Sequence, residues 1–348
     1  SADAQQYAQM PWHLVDLWWD LGEDTTFESY SIDVTISEDV PSTNNLYIAP
    51  IGIAHLNKIP FYAPLYARVP VLGLVHHLFG RVAFDQVAWP IAAAVFTAER
   101  GLPFAYRNCS FLAISGSTRD DLVTRGIAEE RILVSPPGID RPCVDVDPDA
   151  PRPARIAYVG RLERYKRVDV LLRAAVQLLE LFPDLELLII GKGPERAELE
   201  ALARRLGLED RTRFTGYVSD TERDTLLAET RVCAFPSEKE GWGLTVIEAN
   251  ALGTPVVARD APGLRDSIRH AETGLLVRPV AGGVDAETDA YARALAQLMT
   301  ESEETLRMRR ACLDWSAGFD WDRAADDMER AIERCLEVAH PGGAESGR

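Results

Sequence analysis

The sequence predicts an α/β protein built from two doubly wound, Rossmann-like domains that face a cleft. Apolar runs of strand length alternate with stretches of helical periodicity along both halves of the chain, which is typical of parallel sheets covered by helices. The length of 348 residues allows two domains, and 47% hydrophobic residues are enough for two cores. A segment that mixes proline with charge and lacks apolar periodicity, residues 141–153, is the predicted linker between them.

The first domain is predicted over residues 1–140. An apolar run that starts at residue 70 reads as a strand and delivers His76 and His77 to its carboxyl end, the edge at which parallel sheets bind ligands. A histidine there can donate a hydrogen bond to a ligand hydroxyl or to developing charge, whereas capping of the following helix is the simpler interpretation for His77. Two further strand ends, over 111–122 and 132–140, are interpreted as structural because a serine cap and a glycine turn explain them.

The second domain opens with a strand that ends at Gly160 and a helix predicted over about 168–181. Arg161 follows the strand directly and Lys166 precedes the helix, so both cations can converge on one diphosphate at the edge of the sheet. The alternative is that they are ordinary surface charges. That interpretation is adopted for two neighbours, Arg164 and Arg167.

Two more strands of the second domain end in short loops. The first loop contains Gly191 and Gly193, and the second contains Tyr217 and Val218. The glycine loop lacks the Gly-x-Gly-x-x-Gly spacing of a dinucleotide site and does not match a P-loop. These loops therefore carry little information singly.

The most informative segment is a Gly-x-Gly turn between a strand that ends at Phe235 and a helix that starts at Leu244. Such a turn aims free backbone N–H groups and the positive end of the helix dipole at a bound anion. Glu240 precedes the glycines and Glu248 lies inside the helix, so the two carboxylates bracket the turn. Two solvated surface glutamates are the alternative interpretation.

These four elements, in this order over residues 155–266, resemble the retaining glycosyltransferases of family 4, which have the two-domain GT-B architecture. Glu240 and Glu248 match the Glu-x7-Glu signature of that family. The resemblance implies that Glu248 binds the ribose of a nucleotide-sugar, that Glu240 holds the donor sugar near its anomeric carbon, and that His76, Arg161 and Lys166 assist catalysis. The other donor-binding residues that it implies are Gly160, Gly191, Gly193, Tyr217, Val218, Gly241, Trp242, Gly243, Leu244 and Thr245.

The implied reaction moves a hexose from a UDP-, GDP- or other nucleoside diphosphate donor to an acceptor hydroxyl with retention of configuration. No metal or other cofactor is expected, since the Asp-x-Asp pairs at 145–149 fall in the linker. A catalytically silent sugar-nucleotide-binding protein remains an alternative, and an oxidoreductase is disfavoured because its glycine fingerprint is missing. The base, the sugar and the acceptor are set by loop shape, and no motif identifies them.

The two ends of the chain complete the predicted organisation. The donor-binding domain is predicted over 154–321, followed by an amphipathic helix over 322–338 and a tail over 339–348. The resemblance implies that this helix returns to pack on the first domain. The first strand and the Gly-Gly loop of the family are not recognisable in residues 1–40. This departure leaves the acceptor side, and the activity of this form, open.

Composition limits the location and the partners. Five cysteines without a Cys-x-x-Cys spacing predict neither a disulfide framework nor a zinc site, and they indicate the cytoplasm. A net charge of −17 disfavours nucleic acid and anionic membranes as partners, and no apolar run is long enough to cross a bilayer. An aromatic cluster, Trp12, Trp18 and Trp19, leaves a membrane or hydrophobic acceptor open, although core packing is favoured.

Overall fold

A computed structural model describes residues 51–56, 62–80, 84 and 88–339. The aromatic cluster, the region of the family's glycine loop and the predicted tail from residue 340 onward lie outside the described residues. The described strands are β1 (Gly52–His55), β2 (Val71–Val75), β3 (Ser110–Ala113), β4 (Ile132–Val134), β5 (Arg155–Val159), β6 (Glu186–Ile190), β7 (Thr212–Gly216), β8 (Val232–Phe235), β9 (Val256–Arg259) and β10 (Gly274–Val277).

Helices connect and cover these strands. The α-helices are α1 (Trp89–Arg100), α2 (Leu102–Ala105), α3 (Gly116–Thr124), α4 (Val168–Leu178), α5 (Arg196–Arg205), α6 (Asp220–Ala228), α7 (Leu244–Ala251), α8 (Leu264–Ser267), α9 (Gly283–Met299), α10 (Glu303–Ser316) and α11 (Trp321–Ala339). Short 3₁₀ turns occur at Ala63–Leu65, Glu129–Arg131, Arg164–Lys166 and Glu209–Arg211.

The strands form two separate parallel sheets. We call each sheet, together with the helices that cover it, a unit: the first unit contains β1 to β4 and the second contains β5 to β10. Strands β1 to β4 lie side by side in chain order, with Ile53 opposite Leu72 and Leu74 opposite Leu112. The second sheet has the order β10-β9-β8-β5-β6-β7. Its strand order reverses between β5 and β8, which are direct neighbours through the pair Ile156 and Val232. In a doubly wound sheet the loops that leave such a reversal form a ligand-binding crevice.

Helix α4 supplies part of the apolar core that covers the second sheet, called the second core. Its apolar side chains at Val168, Leu171, Leu172 and Ala175 recur with helical spacing and are buried against the sheet. Each fully buried leucine contributes about 1.5–3 kcal/mol of transfer free energy. The helix ends at Leu178, three residues before the predicted end, and Leu181 beyond it is exposed.

The segment that joins the two sheets contains no helix or strand over residues 141–153. It is nevertheless packed: Val144 and Val146 contact the second core, and the side chain of Arg152 is buried. The Arg152 guanidinium donates to the carbonyl oxygens of Thr230 and Leu252, both at 2.9 Å. Proline and charge indicated a linker, and hydrogen bonding of this buried guanidinium fixes the segment to the second unit.

The last helix, α11, packs on the first sheet. Ala331 and Cys335 form one cluster with Leu72, Leu74 and Leu112 of β2 and β3. The chain therefore crosses twice between the units, once after β4 and once before α11. At the second crossing Ile139 N donates to Phe319 O at 3.0 Å. The predicted α/β architecture of two Rossmann-like units is confirmed.

Among the described helices, none combines the length and the apolar character that a membrane span requires.

Candidate active site

Lys166 and Glu240 meet at the strand-order reversal of the second sheet. Lys166 ends the short turn after β5, and Glu240 lies in the loop after β8. The Lys166 ammonium donates to both carboxylate oxygens of Glu240, at 2.6 and 2.7 Å, and the two side chains are 13% and 17% exposed. Two residues that were predicted to act on one substrate are thus in direct contact, and Glu240 is the anionic partner of Lys166 in the structure.

Helix α7 begins at the same crevice. Gly243 caps it with a φ of +89°, a left-handed conformation that glycine adopts at little cost. The first hydrogen bond of the helix runs from Val246 N to Gly243 O at 2.9 Å. The amides of Leu244 and Thr245 precede it, so they are the donors that a helix N-terminus offers to an anion.

Arg161 follows β5 at the edge of the crevice and is exposed. Its guanidinium donates to the hydroxyl of Tyr165 at 3.2 Å, and its carbonyl accepts from the hydroxyl of Tyr158 at 2.8 Å. The backbone of Arg161 is therefore fixed while its charge faces solvent. It can reach an anion without breaking an ion pair, unlike Lys166.

The loops after β5 and β6 pack against each other through their glycines. A Cβ at Gly191 would overlap the Gly160 carbonyl, and a Cβ at Gly193 would overlap the Leu162 carbonyl. Leu162 N donates to Lys192 O at 2.8 Å across this contact. Close backbone approach thus explains these glycines without a ligand, although they still shape the wall of the crevice.

The remaining predicted donor contacts differ in exposure. Tyr217 is 76% exposed and presents its ring at the end of β7, whereas Val218 packs against the core. Trp242 is buried, with its ring 5.4 Å from that of Phe319. The side chain of Trp242 therefore belongs to an apolar cluster, and its predicted contact with the donor would be made by its backbone.

Glu248 lies on the second turn of α7, and its side chain is 23% exposed. Burial raises the pKa of its carboxyl group, and the guanidinium of Arg223, at 3.4 Å, acts in the opposite direction. A carboxylate in this position has lone pairs to accept hydroxyl hydrogens. Glu240 and Glu248 therefore differ in their surroundings: Glu240 pairs with Lys166 from the loop after β8, and Glu248 lies on α7 beside Arg223.

His76 lies at the carboxyl end of β2, where the sequence placed it. Burial lowers its pKa to about 3, with smaller contributions from His55 and His77, so the imidazole is neutral near pH 7. The rings of His55 and His76 stack at 6.0 Å. The Thr118 hydroxyl donates to the His76 carbonyl at 3.1 Å. A neutral imidazole can donate or accept a hydrogen bond but brings no positive charge to a ligand.

The two units approach each other at this point. A Cβ at Gly241 would lie 3.3 Å from the His76 carbonyl. The carboxylate of Asp266 accepts from Ser117 N at 3.2 Å, and it therefore caps the start of α3 in the other unit. The Lys239 ammonium donates to the Leu78 carbonyl, and burial lowers the pKa of this lysine. The contacts of Lys239 and Gly241 hold the loop that carries Glu240 against the loop after β2, which carries His76.

A cavity of about 850 Å³ lies between the units beside these contacts. Its lining from the first unit includes His77, Phe79 and Arg125, and its lining from the second includes Lys239 and Glu240. Arg125 is paired with the buried carboxylate of Glu99 at 3.1 Å, and that carboxylate also accepts from Phe79 N at 2.6 Å. The cavity therefore brings Glu240 close to a fixed, polar wall of the first unit.

Sequence reasoning missed several titratable residues of the candidate site. Arg167, interpreted as a surface charge, is half-buried and pairs with Glu238 at 3.1 Å and with Glu287 at 3.4 Å. Because Glu238 directly precedes the Lys239-Glu240 pair, Arg167 fixes the loop that carries Glu240. Residues of this kind are Arg167, Arg223, Lys239, Asp266, Glu99 and His55. Only their contacts in space identify them, since no spacing rule joins residues so distant in sequence.

Comparisons with known proteins concern the family and the fold of the chain. The family model of the glycosyl transferases group 1 matches residues 147–313. D-inositol 3-phosphate glycosyltransferase from Nocardia farcinica is 33% identical over 257 residues, which cover 66% of this chain and 55% of that protein. The enzyme of the same name from Kribbella flavida is 34% identical over 249 residues, covering 65% and 57%. The chain spans about half of the length of these curated relatives.

Solved structures show the same fold. Sucrose-phosphate synthase from Thermosynechococcus elongatus superposes with a TM-score of 0.66 at 24% identity, covering 82% of this chain and 74% of that one. Anabaena HepE, solved in complex with UDP and glucose, superposes with a TM-score of 0.64 at 20% identity, covering 78% and 74%. The GT-B architecture and the family resemblance predicted from the motifs are confirmed, while the roles of the individual site residues stay predictions. Residues 147–313 match the glycosyl transferases group 1 family, within a chain of GT-B fold.

Proposed function

We propose that the protein transfers a hexose from a nucleoside diphosphate-hexose to an acceptor hydroxyl with retention of configuration. One observation carries the proposal: Lys166, Glu240 and the N-terminus of α7 lie together at the strand-order reversal. A diphosphate could pair with the Lys166 ammonium and accept hydrogen bonds from the amides of Leu244 and Thr245. A sugar bonded to that diphosphate would reach the cavity that Glu240 lines. UDP is the first nucleotide to test, because HepE was solved with it.

The proposed chemistry needs few side chains. The bond between the anomeric carbon and the β-phosphate oxygen breaks while the acceptor oxygen bonds to the same face of that carbon, and the acceptor proton passes to the departing phosphate oxygen. Arg161, Lys166 and the amides at the start of α7 would stabilise the negative charge that builds on the diphosphate. Glu240 would stabilise the positive charge on the sugar, and His76, as a neutral group, would hydrogen-bond a sugar hydroxyl.

The cations of the protein are proposed to replace a divalent metal in this reaction. Transfer should then continue in EDTA at the rate measured with magnesium. Activity that EDTA abolishes and magnesium restores would contradict this part of the proposal.

The acceptor is proposed to bind in the cavity between the two units. D-inositol 3-phosphate is the first acceptor to test, since the relatives carry its name. A reducing compartment such as the cytoplasm is proposed for the protein, because its five cysteines, Cys109, Cys143, Cys233, Cys312 and Cys335, are free thiols in the structure.

The decisive experiment is a transfer and hydrolysis assay with UDP-glucose, in which the anomeric configuration of the product is read by NMR. An α-linked product or α-glucose from this α-linked donor supports retention, and a β product contradicts it. Tight binding of UDP-glucose without turnover would favour the alternative of a silent sugar-nucleotide-binding protein. The absence of UDP binding, confirmed with GDP, ADP and dTDP, would refute the donor assignment.

A further inference from the structure

The guanidinium of Arg223 lies between α6 and α7 and is fixed by carboxylates. Its Nε and Nη2 atoms donate to one oxygen of Asp224 at 3.2 and 3.0 Å. Asp224 is itself buried, and its second oxygen accepts from Cys143 N at 2.9 Å. Asp224, which is held in place by burial and by Cys143 N, therefore fixes the Nε and Nη2 side of the Arg223 guanidinium.

The remaining nitrogen of the same guanidinium, Nη1, faces Glu248. The Nη1 atom lies 2.9 Å from Asp220 and 3.4 Å from the Glu248 carboxylate. A separation of 3.4 Å is longer than a usual N–H···O hydrogen bond, so the attraction sets the direction of the carboxylate without using up its lone pairs. Glu248 is therefore oriented but still able to accept two hydroxyl hydrogens.

We propose that Arg223 is a positioning residue that aims the Glu248 carboxylate at the ribose hydroxyls of the donor. The inference rests on the proposed donor site and adds a residue that lies outside the Glu-x7-Glu signature. Arg223 itself touches no substrate in this arrangement; it acts through the carboxylate.

The charges around Glu248 explain why the arginine is needed. The charged groups that face this carboxylate are Arg223, Asp224, Asp220 and Asp140, and burial already raises its pKa. Arg223 is the one cation among these four, and it opposes both the burial and the three carboxylates. Without it the pKa of Glu248 rises further, and the carboxyl group binds a proton at a higher pH.

The test compares two ligands, UDP and 2′-deoxy-UDP, by calorimetry on the full chain at pH 5 to 8. The wild-type protein should prefer UDP by about tenfold, because one ribose hydroxyl bonds a charged acceptor. Arg223→Met should reduce that preference to about twofold at pH 7 and should move the loss of UDP binding at acidic pH upward by about one pH unit. Glu248→Gln, which lacks the charged acceptor, shows how small the preference for UDP over 2′-deoxy-UDP becomes when that acceptor is lost.

Two further variants control the test. Arg223→Lys keeps the charge and can still pair with Asp224, so it should restore most of the preference and also covers the case in which Arg223→Met does not fold. Arg204→Met removes an exposed arginine from α5 and should change neither quantity. A folded Arg223→Met protein with the wild-type preference and pH profile would overturn the inference while leaving the donor site intact. Wild-type protein that binds neither ligand would instead refute the proposed function on which the inference rests.

Discussion

Replacement of Glu240 by glutamine tests the ion pair at the centre of the candidate site. In the structure both oxygens of Glu240 accept from the Lys166 ammonium, so a diphosphate must take this cation from its present partner. Glu240→Gln removes that competition and also removes the anion near the anomeric carbon. We therefore expect opposite effects on two measurements: tighter UDP binding and slower transfer.

The size of each effect follows from the contact. A hydrogen bond to a charged group contributes about 1.5–3 kcal/mol and a neutral one about 0.5–1.5 kcal/mol, so the lysine holds a glutamine less tightly by about 1–1.5 kcal/mol. UDP should then bind about five- to tenfold more tightly to Glu240→Gln. Because an anion stabilises a cationic sugar more than the neutral substrate, kcat should fall by about ten- to a hundredfold.

Calorimetry with UDP and steady-state kinetics with UDP-glucose measure the two effects. Glu198→Gln is the control, since this glutamate is exposed on α5, outside the loop that carries Glu240. The double variant with Lys166→Met should abolish the gain in affinity. UDP binding that weakens tenfold in Glu240→Gln, or normal turnover by that variant, would refute the reasoning.

Further predictions concern the other groups of the site. Arg161→Ala and Lys166→Ala should each weaken UDP binding by about tenfold or more but leave uridine binding unchanged in calorimetry; equal losses for both ligands would contradict the phosphate assignment. Glu248→Gln should raise the KM for the donor with little change in kcat; a change confined to kcat would contradict its role. His76 binds a proton only near pH 3, whereas the unfolded chain does so near 6.5, so the free energy of unfolding should fall as the pH drops through this window. Urea unfolding at pH 7 and 5 should show a shallower loss, by up to about 1.4 kcal/mol per pH unit, in His76→Asn, and identical slopes would contradict the depressed pKa. Lys239→Met should lower kcat with little effect on UDP binding, and Lys239→Arg should restore it; wild-type kcat in the methionine variant would show that the contact is not needed.

Local patterns were sufficient to predict the second sheet and the residues at its edge. Strand ends, glycine turns and helix starts are properties of short segments, so the placement of Lys166, Gly243 and Glu248 could be inferred from spacing alone. The resemblance supplied their expected roles. The direct contact between Lys166 and Glu240 could not be read in this way, because it depends on β5 and β8 being neighbours, and strand order is a property of the whole fold.

The side chains that the sequence did not reveal share a physical reason. Arg167, Arg223 and Lys239 are members of a chain with 37 basic residues, and charge alone gives no ground to separate a buried cation from a solvated one. Burial is decided by partners from other elements, such as Glu287 for Arg167 and Glu248 for Arg223. Trp242 is the opposite case. It is an aromatic residue between two glycines of the predicted donor loop, but its side chain is buried and packs against Phe319.

Three consecutive side chains of the loop after β8 connect the chemistry to the contact between the units. Glu238 pairs with Arg167, Lys239 donates to the Leu78 carbonyl of the first unit, and Glu240 accepts from Lys166. Neighbouring residues of one short loop cannot move independently, so a change in the distance between the units at Lys239 also changes where Glu240 lies. Lys239 and Gly241, on either side of Glu240, both lie against the loop that carries His76. The position of Glu240 in the cavity is therefore set jointly by the second unit, through Lys166, and by the contact of Lys239 with the first unit.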